Sequence, residues 1–189
     1  MSAKTVIEQM GTAARTNRLR AADYFLKRPE EIQALLKLTF NPEYTYHHKA
    51  AWVVEFVTIR QLDFILKHLD FLVNSLALLK KDSAVRPIAK TTHLIVQKHF
   101  LKKQPDAGFQ LNDKQIQLII TAAFDWLIGD YRVASKVHAM QIIFELGQLP
   151  TTEDWVIPEL KSILSENISK QTAGYRSRAE RILNKLDKD

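Results

Sequence analysis

The chain contains no cysteine. That excludes disulfides, thiolate metal sites and a cysteine nucleophile, while saying little about compartment. Glycine and proline are scarce, at five and six in 189 residues. A sheet protein with many tight turns would use more of both, so the shortage favours helices joined by short connections. Long apolar runs are also missing. The opening MSAKTVIEQMGTAARTNR has no signal-peptide core. The most apolar stretch, 64–79, is interrupted by Lys67, His68, Asp70 and Asn74, which excludes a membrane span. A soluble, cytoplasmic protein without a membrane partner is expected.

Charge is not short, but it is unevenly placed. The formal net charge is +6. Residues 1–40 hold seven Lys/Arg against four Asp/Glu, residues 161–189 hold seven against four, and the middle holds thirteen of each. The excess lies at the two ends of the sequence. A nucleic-acid groove running along a stack of helices would spread its charge more evenly.

Helical periodicity covers most of the chain. Segments open on Pro29-Glu30-Glu31, Asp82-Ser83, Asn112-Asp113 and Thr151-Thr152-Glu153-Asp154, each a recognisable helix start. They close on Pro29, Asn41-Pro42, Gly129 and Pro150. Residues 62–79 read as one continuous helix, and Gln104 to Gln110 as the clearest loop. About nine helices and no strand are predicted, in a single domain spanning 1–189. Residues 1–14 form a short N-terminal helix or a flexible segment, and 172–187 a capping helix.

A frame recurs through these helices. Arg86-Pro-Ile-Ala89, Lys136-Val-His-Ala139 and Arg176-Ser-Arg-Ala179 each place a basic residue three before an alanine. Arg18-Leu-Arg-Ala21 and His47-His-Lys-Ala50 are looser copies. The alanines stand 29, 39, 50 and 40 residues apart, periods that mark repeated helix pairs. A small side chain there lets backbones approach closely. The basic residue, one turn earlier, is placed to reach an acid or free carbonyls of an adjacent turn.

Asp82-Ser-Ala-Val-Arg86 with Ala89 resembles the unit start of the HEAT-repeat family, and Asp130 to Lys136 is a stretched relative. The resemblance implies an all-α fold, an α-α superhelix (a HEAT- or armadillo-like solenoid) of about four to five helix pairs. It also implies a face that binds partners. More narrowly, the chain resembles short bacterial HEAT-like proteins, some of which bear the label adenylosuccinate lyase. That enzyme's Ser-Ser-rich signature loop ending in Asn-Pro has no match, the one Asn-Pro being Asn41-Pro42 after Leu-Thr-Phe.

Candidate sites each admit two readings. His47 and His48 are adjacent and His93 and His99 six apart, spacings that suit no two-histidine metal face, and no metal or cofactor is expected. Asp125-Trp126 and Asp154-Trp155 resemble the acid and aromatic pairs of HEAT-like DNA glycosylases; the plainer reading makes the tryptophans packing anchors. Arg15, Arg18 and Arg20 cluster near the start, Lys98, Lys102 and Lys103 end one helix, and Arg176, Arg178, Arg181 and Lys185 crowd the last. Each cluster would meet an acidic partner or phosphates, or serve as a solvated face. Tyr44, Tyr46, His47 and His48 would line a recognition surface or pack a loop. The expected function is a non-catalytic scaffold holding a protein partner with an acidic surface, with Arg176, Arg178, Arg181, Tyr46 and His47 as the contact candidates. Nucleic-acid binding or a DNA-repair glycosylase at Asp125, Trp126, Asp154 and Trp155 comes second, and a cryptic lyase third.

Overall fold

The computed structural model describes residues 1–101 and 109–188. Eleven α-helices account for the fold, with no strand among the described residues. The chain divides into two compact units, Met1–Ile95 and Val96–Asp189.

The first unit is organised around α4 (His47–Arg60), nine of whose residues are buried. Both α2 (Arg15–Leu26) and α3 (Ile32–Thr39) pack against it. The short α1 (Ala3–Gln9) is capped by the Ser2 hydroxyl, and the Ala3 N–H donates to Glu31 at 3.2 Å. Residues 62–79 do not form one helix. They divide into α5 (Leu62–Leu66) and α6 (Leu69–Ser75) with a 3-10 turn at Leu76–Leu78. His68, at φ −121° and ψ 23°, leaves the helical region. No glycine or proline stands at the break, and Ile65, Leu69, Leu72, Val73 and Leu76 are buried on both sides of it, so the apolar period runs through unbroken. Near the end of α6, Asn74 and Ser75 side chains donate to the carbonyls four residues back, at 2.7 Å each, competing with the helical ladder.

The boundary between the units falls inside α7 (Asp82–Phe100). Asp82 lies in its first turn and Pro87 within its second. Without an N–H, Pro87 cannot bond the Ser83 carbonyl four residues earlier. The Trp52 indole of α4 donates to that carbonyl instead, at 2.9 Å.

In the second unit, α9 (Val133–Gly147) packs against α8 (Asp113–Ile128), α10 (Val156–Asn167) and α11 (Ala173–Leu186). Asn112 and Gln115 close a reciprocal capping box on α8. Gly129 ends that helix in extended conformation, at φ −66°. A side chain there would meet the Tyr131 ring at 2.6 Å, so close approach, not a left-handed turn, calls for glycine. Thr151 to Asp154 does not cap α10, whose N-cap position is Trp155. Thr152 is buried, and its hydroxyl donates back to the Leu146 carbonyl at 2.7 Å, finishing α9.

All five frame alanines are buried: Ala21 at 5% exposure, and Ala50, Ala89, Ala139 and Ala179 at 0%. Each sits where its helix is closely approached by neighbours.

Candidate anion groove

Three helices of the first unit each contribute one edge to a groove of about 520 Å³. Arg15, Arg18 and Leu19 share a face of α2 at spacings of three and four. Arg86 and Lys90 do the same on α7, and Phe56 with Arg60 on α4. Five cations therefore converge on one opening, with Glu55 as the acid among them.

Glu55 organises one side. It lies between Val54 and Phe56 on the buried face of α4, its side chain only 5% exposed. A carboxylate out of water is stable only when paired and hydrogen-bonded. Arg86 grips it with both guanidinium nitrogens, at 2.8 and 3.5 Å, and the Lys90 ammonium approaches at 3.2 Å. The frame's basic residue thus reaches an acid of the neighbouring helix.

The other side is compensated only in part. Arg60 is ion-paired with Asp23 at the surface. Arg15 and Arg18 have no carboxylate partner among the described residues. Their guanidiniums stand over the Phe56 ring, 5.7 and 5.1 Å from its centre. The Arg18 Nε is shielded from water and has no hydrogen-bond acceptor. Both arginines belong to the first turns of α2, the positive end of the helix dipole, where no acid offsets them and no side chain caps. Cations gathered at that end create a strongly positive site.

Net charge follows the same division. Residues 1–95 hold fourteen Lys/Arg against nine Asp/Glu, and residues 96–189 thirteen against twelve. Arg20 does not join Arg15 and Arg18. It turns to a separate hollow of about 340 Å³ with Met10 and Tyr24.

The remaining sequence candidates are dispersed. On α11, Arg176 and Arg181 are exposed, while Arg178 is half-buried and donates to the Gln141 side chain of α9 at 2.9 Å. Lys185 stands over the Phe144 ring at 5.4 Å. Tyr46 is exposed, with Lys49 over its ring; His47 is buried at 2%. Burial foremost, then the charge of Lys81 and the neighbouring His48, holds the His47 imidazole below its ordinary pKa, with only the Thr39 backbone opposing. Trp126 is core, beside an exposed Asp125. Trp155 is 49% exposed and lies on Phe124 at 5.4 Å, its indole N–H donating to Glu153; Asp154 is exposed. Lys102, Lys103 and most of the loop expected at 104–110 lie outside the described residues.

Among the described residues no group of three or more His, Asp or Glu side chains could hold a metal ion, and no helix is long and apolar enough to cross a membrane. No family model, no curated protein and no solved structure matches the chain.

Sequence reasoning reached Arg15, Arg18 and Arg86 as separate features and missed Glu55, Phe56, Arg60 and Lys90. The signal for Glu55 was present: one acid within the apolar run Ala50 to Val57.

Proposed function

We propose that the protein is a non-catalytic binding module that holds a protein partner by an acidic segment laid in the groove of the first unit. The observation that carries this reading is the convergence of five cations around a single buried acid. The groove supplies charge and hydrogen-bond donors, with the Phe56 ring as an apolar floor. In the same reading, helix pairs within each unit stack as in a HEAT-like solenoid. The burial of all five frame alanines supports that stacking.

The test is fluorescence anisotropy with a labelled poly-glutamate peptide. Binding should weaken at least about tenfold when Arg15 and Arg18 are both replaced by glutamine, a loss of roughly 1.4 kcal/mol. An acidic peptide that binds wild type and double variant alike removes the groove from the function. Nucleic acid is the second reading, favoured by the exposed Trp155, an aromatic face of the kind that takes a base, set at a 30° tilt to Phe124. A single strand that binds wild type and loses affinity in Trp155→Ala would promote it.

A further inference from the structure

We infer that the groove of the first unit is a phosphoryl site, reading a phosphorylated side chain on the partner's segment through Arg15 and Arg18. This rests on the reading above and narrows it. Carboxylate chemistry is already present in the groove: Glu55 occupies Arg86 and Lys90. What stays open is a pair of guanidiniums without a carboxylate partner among the described residues, both within cation–π distance of one aromatic ring.

A lone carboxylate brings one charge and two oxygens to that pair. A phosphoryl monoester brings close to two charges and three acceptor oxygens, enough to bond both arginines at once. The buried Arg18 Nε needs an acceptor that enters the groove, because no side chain among the described residues supplies one. The cation–π attraction of the Phe56 ring biases both guanidiniums towards the groove, so less freedom is lost when an oxyanion docks. The positive end of α2 adds to the attraction for a dianion. The opening, at about 520 Å³, is several times larger than a phosphate and leaves room for the residues that flank it. A nucleic-acid strand would need charge continuing beyond one opening, and residues 96–189 are nearly neutral.

The test uses the full chain and three peptides of identical neutral flanks, with phosphoserine, glutamate or serine at the centre. Arginine Nε–H signals are followed by NMR, with inorganic phosphate and an oligothymidylate as further probes. The expected result is a saturable shift of the Arg18 Nε–H with the phosphoserine peptide, at least about tenfold tighter than with glutamate. Arg18→Gln should abolish that preference, and Arg15→Gln, at an exposed position, should reduce it without unfolding the protein. Arg20→Gln should leave it unchanged. Equal affinity for the glutamate peptide overturns the phosphoryl inference and leaves the acidic-segment reading standing; no binding of either peptide overturns both. Inorganic phosphate binding as tightly as the phosphopeptide makes this a free-anion site, and tighter oligothymidylate binding assigns it to nucleic acid. Either result overturns a phosphorylated protein as the ligand.

Discussion

Glu55 holds two roles that pull in opposite directions. Buried on α4, it anchors Arg86 and Lys90 and so ties α7 to α4. Standing in a groove of cations, it also repels any incoming anion. Glu55→Gln keeps the shape and removes the charge. The two cations are each about one-third exposed, at 33% and 34%, so water will partly replace the lost pairing. Stability should fall by about 1–3 kcal/mol in urea unfolding, while the groove's affinity for an anionic peptide rises. A variant that loses stability and affinity together would mean that Glu55 shapes the groove more than it competes within it. Trp52 makes a second residue-scale case. Its indole serves a carbonyl that Pro87 has orphaned at an exposed position where water can replace it, so Trp52→Phe should cost about 0.5–1.5 kcal/mol. In a Pro87→Ala background the helix can bond Ser83 itself, and the same substitution should cost less. A double-mutant cycle with no coupling between the two positions would break that link.

At the scale of elements, the frame alanines are the most legible feature of the chain. Their basic neighbours were less so. Five positions with one sequence relation have different environments: Arg86 on an acid, Arg18 on a ring, His47 inside the core, Arg176 in solvent, and Lys136 at the start of α9. Spacing fixes the face on which a side chain lies, but the partner comes from another helix that spacing does not see. The same limit explains residues 62–79 and Thr152. Apolar period passes through the His68 break, and a threonine before a helix reads identically whether it caps forward or bonds back to Leu146. Enlarging a frame position tests the packing directly. Ala139→Leu should destabilise by about 1–3 kcal/mol, read as a lower thermal midpoint, because the added carbons enter a fully buried position. His47 gives this scale its pH dependence. Its folded pKa lies below the unfolded value of about 6.5, so the unfolded chain binds the extra proton first and stability falls as pH drops through that window. His48 and His68 are lowered in the same direction, chiefly by burial. The thermal midpoint should therefore decline on acidification from about pH 7.5 to 5.5, and His47→Phe should flatten the decline. An unchanged slope in that variant would rule His47 out as a contributor.

For the whole molecule, the sequence misplaced the charge although it counted it correctly. Equal excesses at the two termini suggested two weak basic ends. Folding adds Arg60, Arg86 and Lys90, from the neutral middle of the chain, to Arg15 and Arg18, so one unit carries most of the net charge in a confined opening. That confinement makes a prediction separable from any single substitution. An anion held mainly by two arginines should release few counterions. The logarithm of its affinity should then fall against the logarithm of salt with a slope near −1 to −2. A strand tracking basic surface across six or more phosphates would give a slope steeper than about −4 even when single-stranded. Titrating the phosphoserine peptide and the oligothymidylate across a range of salt concentrations therefore measures how much of the molecule each ligand engages. A steep slope for the peptide would mean that its docking spreads beyond Arg15 and Arg18, and the compact site would give way to an extended one.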